Sequence, residues 1–377
     1  MFSSHWRVVA LFFIHALAAG AIHTRMPDLQ LLVGLSEAQL GLVLMGQPLG
    51  GLSMFLFASI IIERFSPRLV ILVVLPVVIV TAALCTLWLH PVAFFLLLAV
   101  NGMGFSLSNI AMNVEADRVE AASGHRVMNT CHGAWSLGFL LTSLLGAALR
   151  GLGISPALHL WGLAPVLIGL LFVVVLPMPV TPPRLHAGPA GRRLALPSLA
   201  TLGLVAFGLG AGLTEGASRS WSIIYLRDSF TIPAFVESLA LPALLAAMTL
   251  GRLGADPVIA RFGPVRVARL LSALALLGLA LVVGAPNAAS ALAGFLLVGI
   301  GICVLYPLML SAAARLGDRP ASQNVAATTL IFQLVNLGAP ALIGAVAQGL
   351  GIRMAFALLI PLLVLTFAMA GRLAPRA

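Results

Sequence analysis

Long apolar runs, separated by short stretches with charge, proline or glycine, follow one another along the whole chain. Each run is about 18–25 residues long, the length that a helix needs to cross the hydrocarbon core of a bilayer. The pattern predicts an all-α integral membrane protein, because a β-barrel would show shorter segments of alternating polarity. The twelve predicted transmembrane helices are 6–24, 37–61, 69–88, 92–114, 127–149, 159–177, 198–220, 232–254, 266–284, 289–312, 324–348 and 353–373.

One hydrophilic stretch, "MPVTPPRLHAGPAGRRLALP" at 178–197, divides the predicted helices into six and six. Its Pro, Gly and Arg content is typical of a linker. We therefore predict an N-terminal six-helix half at 1–177, a cytoplasmic linker at 178–197 and a C-terminal six-helix half at 198–377.

A short motif recurs in the two halves. "IERFSPRLV" (62–70) follows predicted helix 2, and "IARFGPVRV" (259–267) follows predicted helix 8, 197 residues later. Both contain R-F-[S/G]-P, and their separation is close to half the chain. Parallel repeats related by an axis along the membrane normal are a known transporter architecture, so the halves are predicted to be pseudo-symmetric.

Composition supports a lipid environment. Hydrophobic residues make up 61% of the chain and charged residues 8%, against about 45–50% and 25% in soluble domains. All 21 basic residues are Arg; with the N-terminus placed in the cytoplasm, sixteen lie on the cytoplasmic side and five on the other. This positive-inside bias predicts that both termini are cytoplasmic, and it explains the net charge of +10 without a nucleic-acid partner.

The loop after predicted helix 2 carries Glu63, Arg64 and Arg68, and the loop after helix 8 carries Arg261 and Gly263. In these residues the chain resembles the major facilitator superfamily. Four longer segments are, as a set, similar to its YbjJ-type, fucose-permease-like branch: "TRMPDLQLLVGLSEAQLGLVLMG" (24–46), "NIAMNVEADRVEAASGHRVMNTCHGAWSLG" (109–138), "EGASRSWSIIYLRD" (215–228) and "GRLGADPVIARFGPVRV" (251–267).

The sequence departs from the superfamily's pattern at several positions. Ser59 and Ser66 stand at the signature's two glycine positions, and Ala260 stands at its second acidic position. Leu98 replaces the arginine that the superfamily usually carries in helix 4. A coupling mechanism that relies on that arginine therefore does not transfer to this chain.

The resemblance implies a secondary transporter that works by alternating access, often with protons, in the cytoplasmic membrane of a bacterium. Its solute is expected to be small and polar or amphipathic, and import is the first expectation because the branch contains permeases. The alternatives are a proton-antiport exporter of drugs or metabolites, and a non-transporting membrane receptor or scaffold. We expect a monomer without metal or cofactor, and no enzyme, since the sequence has no nucleotide-binding lysine loop and no nucleophile elbow.

An ionisable residue inside the bilayer costs about 2.5–3.5 kcal/mol on insertion scales, so each one is a functional candidate. Glu215 lies in predicted helix 7, with Arg219 four residues later on the same face. Glu215 is either a proton carrier or half of a structural ion pair. The glycines of "FGLGAGLT" let neighbouring backbones approach and allow a break in the helix there. Trp221 is a candidate platform for a solute, whereas Tyr225 is expected in the interfacial aromatic belt.

Helix 1 carries His15 and His23, eight residues apart and therefore on roughly one face. An imidazole titrates near neutral pH, so these side chains can relay protons or bind an anionic group. The alternative is a buried histidine bonded to a neighbouring carbonyl group. Arg25 is either a cation that faces the solute or an anchor that snorkels to the interface.

Further polar residues recur within predicted helices 2, 4, 5, 10 and 11, where they either join helices or line an aqueous cavity. The superfamily lines its path with helices 1, 4, 7 and 10, which favours His15, Asn109, Asn113, Glu215 and Tyr306. The full set expected along the solute or proton path is His15, His23, Arg25, Gln47, Asn109, Asn113, His132, Trp135, Glu215, Trp221, Tyr306, Gln333 and Asn336.

Charged residues at the predicted cytoplasmic helix ends are expected to form ion pairs that stabilise one access state. They are Glu63, Arg64, Arg68, Glu115, Arg118, Asp256 and Arg261, with Arg126 a further partner.

Overall fold

In the computed structural model, the chain is helical throughout the residues that the structure describes, 4–55, 57–123, 127–179 and 197–374. Two compact units are present, Met1–Pro189 and Ala190–Ala377. Most of the linker predicted at 178–197 lies outside the described residues. The two units are described separately below.

Six helices, α1 to α6, form the N-terminal unit. Helix α2 consists of three segments, and the other five are continuous. The bounds are α1 Ser4–Val33; α2 Glu37–Leu44, Gly46–Phe55 and Ala58–Phe65; α3 Pro67–Leu84; α4 Pro91–Ser123; α5 Met128–Gly151; and α6 Pro156–Val175.

Six more helices, α7 to α12, form the C-terminal unit. Helices α8, α10, α11 and α12 are each interrupted by one or two residues outside helical geometry, and α12 also ends in a 3₁₀ turn. The bounds are α7 Leu199–Ser229; α8 Ala234–Ser238 and Ala240–Phe262; α9 Pro264–Val283; α10 Ala288–Ile302 and Leu305–Ala314; α11 Ala321–Leu337 and Ala339–Leu350; and α12 Ile352–Ala357, Leu359–Met369 and the 3₁₀ helix Ala370–Leu373.

The membrane-spanning prediction agrees with these bounds. Within the described residues, 11 helical spans are long and apolar enough to cross a bilayer. The pair Glu37–Phe55 and Ala58–Phe65, bent by 62°, brings the number to 12 when counted as one span. The predicted all-α, twelve-helix architecture is therefore confirmed.

Several helices run further than their apolar segments. Helix α1 continues to Val33, past Arg25 and Pro27, although the sequence pattern ended it at residue 24. Helix α7 runs unbroken from Leu199 to Ser229, so the break that its glycines allow is not formed. Those glycines instead let other side chains approach, since a Cβ atom at Gly208 would overlap Met309 and one at Gly212 would overlap Phe332.

Close helix contacts in the N-terminal unit depend on small residues. A Cβ atom at Gly50 would overlap the Ala99 carbonyl group, and one at Gly102 would overlap the Gln47 carbonyl group. Helices α2 and α4 therefore approach backbone to backbone, as glycine allows in membrane helices. On the α1–α5 contact, Gly146 makes room for the side chain of Thr24. This packing fixes the polar side chains of α1, α4 and α5 in position.

The repeated R-F-[S/G]-P motif forms the same turn in both units. Ser66 ends α2 with φ 70° and ψ 148°, and Gly263 ends α8 with φ 80° and ψ 154°. Each donates its N–H to the carbonyl four residues earlier, Ile62 or Ile259, and each precedes a proline that begins the next helix. The match extends to the arginines, which lie over the rings of Phe65 and Phe262. The two halves thus repeat the same turn in backbone detail.

We expect Gly263→Ala to lower the free energy of unfolding by about 1–3 kcal/mol, because a residue with a Cβ atom is strained in this backbone region, as Ser66 is in the equivalent turn. The side chain itself would meet nothing within 4 Å, so the effect isolates backbone strain. Thermal unfolding in detergent measures it. Gly254→Ala is the matched control, since Gly254 also has open space around its Cβ position but lies inside α8. Equal melting temperatures for the two variants would contradict the strain argument.

Candidate functional site

His15 is held between α4 and α5 by hydrogen bonds to both of its ring nitrogens. It is 1% exposed, Trp135 Nε1 donates to its Nδ1 at 3.2 Å, and its Nε2 lies 3.1 Å from Ser108 Oγ. Because an indole N–H only donates, Nδ1 must accept and the ring proton belongs on Nε2. Ser108 in turn donates to the Gly104 carbonyl group at 2.8 Å. The chain of donors and acceptors is complete for a neutral imidazole.

Aromatic contacts connect other predicted residues to His15. Trp135 stacks on Phe139, with ring centroids 5.2 Å apart, and His23 lies against the same phenyl ring at 5.9 Å. His132 meets Phe12 edge to face at 5.4 Å. The structure therefore brings His15, His23, His132 and Trp135 together along the contact of α1 with α5.

Arg25 is the centre of a charged cluster near the C-terminal end of α1. Its Nε donates to His159 Nδ1 at 2.9 Å, and its Nη1 lies 3.2 Å from Asp28 Oδ2. The other Asp28 oxygen lies 2.8 Å from Arg150 Nε. Arg25 is 1% exposed, so it is not the snorkelling anchor that was one of the two expectations for it.

Asp28, Arg150 and His159 are site residues that the sequence reasoning missed. Asp28 follows Arg25 by three residues, one helical turn, and this spacing was the available signal. His159 is 134 residues from Arg25, and no local pattern connects the two.

The predicted polar residues Gln47, Asn109 and Asn113 of the N-terminal unit form hydrogen bonds either between helices or to the backbone of their own helix. Gln47 Nε2 donates to Asn101 Oδ1 at 3.2 Å, and Asn101 Nδ2 donates to the Val78 carbonyl group at 2.8 Å. Asn113 Nδ2 donates to the Asn109 carbonyl group at 2.8 Å, one turn earlier on α4. Gln47 thus links α2 to α4, whereas Asn109 and Asn113 form a half-buried pair on one helix.

Glu215 and Arg219 form an ion pair on α7, with Glu215 Oε1 2.7 Å from Arg219 Nη2. Their side chains keep 23% and 21% of their surface exposed, so the pair is only partly buried within its membrane span. The i, i+4 pairing predicted from the sequence is present. It places a carboxyl group near the middle of the 31-residue helix.

Trp221 and Tyr225 lie inside the C-terminal unit, each with no exposed surface. The Tyr225 hydroxyl donates to the Val282 carbonyl group, and its ring packs edge to face on Phe295 and Phe356. The interfacial-belt interpretation of Tyr225 is therefore wrong. Trp221 follows Glu215 by six residues, which turns it about 240° around the helix, so in this structure it does not lie beside the carboxyl group.

Tyr306 and Asn336 make separate contacts with Phe332. The Tyr306 ring packs against the Phe332 ring at 4.9 Å, whereas Asn336 Nδ2 donates to the Phe332 backbone carbonyl group, one turn earlier on α11, at 2.8 Å. Gln333, also on α11, is exposed.

The predicted gate residues form few of the expected ion pairs. Arg68 donates to the carbonyl groups of Leu176 and Met178 after α6, at 2.8 Å for Met178. Among the described residues of each half, no ion pair involves the remaining predicted gate residues, which are Glu63, Arg64, Arg118, Asp256 and Arg261. Glu115 is buried, and Arg126 lies outside the described residues.

An arginine outside the predicted set supports the interruption of α10. Pro307 has no N–H, so the carbonyl group of Cys303, four residues earlier, loses its helical partner. Arg252 of α8 donates to this carbonyl group from Nε at 2.8 Å. The interruption at Cys303–Val304 is thus stabilised from a neighbouring helix.

We expect Arg252→Gln to destabilise the protein by about 1.5–3 kcal/mol, the usual value of a hydrogen bond from a charged donor. In a Pro307→Ala background the same substitution should cost less, because an N–H at position 307 can then satisfy Cys303. A double-mutant cycle on thermal unfolding measures the coupling between the two positions. Strictly additive effects would show that Arg252 does not serve this carbonyl group.

The comparisons with known proteins agree with one another. The family model described as "Major Facilitator Superfamily" matches residues 8–340. An uncharacterized MFS-type transporter of Yersinia pestis is 28% identical over 367 residues, covering 97% of this chain and 94% of the relative.

Solved structures share the fold at low sequence identity. The nucleoside transporter NupG superimposes with a TM-score of 0.79 at 17% identity, covering 98% of this chain and 99% of its own. A single-substitution variant of the E. coli fucose:proton symporter FucP gives a TM-score of 0.67 at 16% identity, covering 99% of this chain and 98% of its own.

Proposed function

Because the chain belongs to the Major Facilitator Superfamily and is a multi-pass membrane transporter, we propose that it imports a small polar or amphipathic solute together with protons. Import takes place by alternating access in the cytoplasmic membrane of a bacterium, with both termini in the cytoplasm and the monomer as the working unit. Residues 1–177 and 198–377 are the two repeats of the transporter, and 178–197 joins them.

The Glu215–Arg219 pair is the observation that carries the proposal. A carboxyl group in a membrane span is costly, and a nearby arginine reduces that cost while the group is charged. Protonation of Glu215 would remove its charge and release Arg219, so a single proton changes the charge distribution of α7. Neither side chain is fully buried, as a group that exchanges protons or contacts a solute requires.

The polar residues of the N-terminal unit support a solute path. His15 is buried and hydrogen-bonded through both ring nitrogens to Trp135 and Ser108, so it fixes the half-buried Trp135 in position rather than binding a solute itself. Aromatic and polar groups held together in this way suit sugars, polyols, nucleosides and related molecules. The similarity of fold to a fucose:proton symporter also favours coupled import as the first function to test.

The test begins with a thermal-shift screen of small polar solutes on the purified protein. Any solute that raises the melting temperature is then offered to proteoliposomes that hold a pH gradient. Symport predicts accumulation when the interior is alkaline. Accumulation only with an acidic interior would instead identify an antiporter, and tight binding without any flux would favour the receptor or scaffold.

A further inference from the structure

Arg25 has one guanidinium nitrogen without a partner, although the whole side chain is buried. Nε donates to His159 and Nη1 to Asp28, whereas Nη2 is inaccessible to solvent and has no hydrogen-bond partner among the described residues. A buried donor left without an acceptor is rare in native proteins and calls for an explanation such as a bound water or ion.

His159 supplies a second donor of the same kind. Its Nδ1 accepts from Arg25 Nε, which cannot give up its proton, so the ring proton belongs on Nε2. Nε2 is also buried and without a partner in the described part of the chain. The two ring nitrogens of an imidazole point in diverging directions, so Nε2 faces away from Arg25, and the two unmet N–H groups lie on different sides of the Arg25–His159 contact.

The electrostatics of the cluster favour a negative ligand. Arg25 and Arg150 share the carboxylate of Asp28, one oxygen to each arginine. Helix α6 begins at Pro156, just before His159, so the positive end of its dipole adds to the same region. A neutral water would satisfy hydrogen bonds but would not offset this charge.

We propose that Arg25 Nη2 binds a small anion, with Asp28, Arg150 and His159 holding Arg25 in position. The chemical class is a halide-sized ion or a carboxylate group, supplied either by chloride or by an anionic solute. The second source rests on the proposed transport function. In that case the solute carries a carboxylate that Arg25 neutralises as it enters the membrane.

The experiment uses the purified full-length protein in detergent and follows its melting temperature. Sodium chloride or sodium acetate is titrated at constant ionic strength against the sodium salt of a bulky sulfonate buffer. A site that binds only the folded protein raises the melting temperature in a saturable manner, by about 3 °C or more at saturation. A rise with chloride alone assigns the site to an inorganic ion, whereas a stronger effect of acetate and longer carboxylates assigns it to a solute.

Three variants test the assignment. Arg25→Gln and His159→Phe are both expected to abolish the saturable rise, and the histidine variant keeps the test valid if the arginine variant fails to fold. Arg227→Gln removes a cation from the partly exposed pair with Asp228 and should keep the full rise. An anion effect that is absent from the wild type, or that persists in a folded Arg25 or His159 variant, would overturn the proposal. Because binding is measured without transport, failure here is distinct from failure of solute uptake.

Discussion

Replacing Glu215 with glutamine is expected to abolish gradient-driven accumulation of the solute while leaving counterflow exchange intact. Glutamine keeps the size and the hydrogen-bonding oxygen of the side chain, so Arg219 retains an acceptor at the position now 2.7 Å away. It cannot exchange a proton, however. A carrier that can no longer take up the proton still cycles with solute bound, but the pH gradient no longer drives it.

The measurement is uptake by proteoliposomes with and without a pH gradient, normalised to folded protein. We expect accumulation in the Glu215→Gln variant to fall at least tenfold, to the level reached by equilibration, and a tenfold change corresponds to about 1.4 kcal/mol. The rate of exchange should stay within about twofold of the wild-type rate. Asp228→Asn is the matched control, because it removes a carboxylate from the same helix at an exposed ion pair. Normal accumulation by the Glu215 variant would show that the Glu215–Arg219 pair is structural.

Replacing Asp28 with asparagine is expected to destabilise the protein by about 3 kcal/mol, because it leaves buried arginines without their shared countercharge. Asp28 Oδ2 lies 3.2 Å from Arg25 Nη1 and Oδ1 lies 2.8 Å from Arg150 Nε. The arginine side chains are 1% and 8% exposed, so water screens them poorly. Loss of the carboxylate therefore affects both.

Thermal unfolding in a chloride-free buffer measures this effect, since an anion bound beside Arg25 would offset part of the lost charge. Asp228→Asn again serves as the control, because a partly exposed pair contributes only about 0–1 kcal/mol. The Asp28 variant should melt several degrees below the control variant. Similar melting temperatures for the two variants would mean that Asp28 does not stabilise the fold by neutralising Arg25 and Arg150.

Local features of the sequence were sufficient for the architecture. The lengths of the apolar runs predicted twelve spans. The R-F-[S/G]-P repeat was the basis for predicting two similar halves, and Ser66 and Gly263 adopt the same turn in it. The i, i+4 spacing of Glu215 and Arg219 also predicted their contact, because residues one turn apart on a helix are neighbours wherever the helix is placed.

Predictions that depended on which way a side chain faces were less successful. Tyr225 was placed at the membrane interface from its position near a helix end, yet it lies between Phe295 and Phe356 in the interior of its half. The glycines of helix 7 allowed either close approach of neighbours or a break, and the helix is continuous, with Met309 and Phe332 close to the glycines. In both cases the neighbouring helices, absent from any local window, decide the outcome.

The sequence by itself determined that the chain is an integral membrane protein and how many times it crosses the bilayer. It also determined which polar residues lie inside the membrane, where they cost free energy. These properties depend on hydropathy and spacing over one or two helical turns. Only the tertiary structure decided which polar groups meet: Arg25 with His159, 134 residues away, and His15 with Trp135, 120 residues away. The physical reason is that such pairs are set by the rotation and close packing of whole helices, to which residues far apart in the chain contribute together.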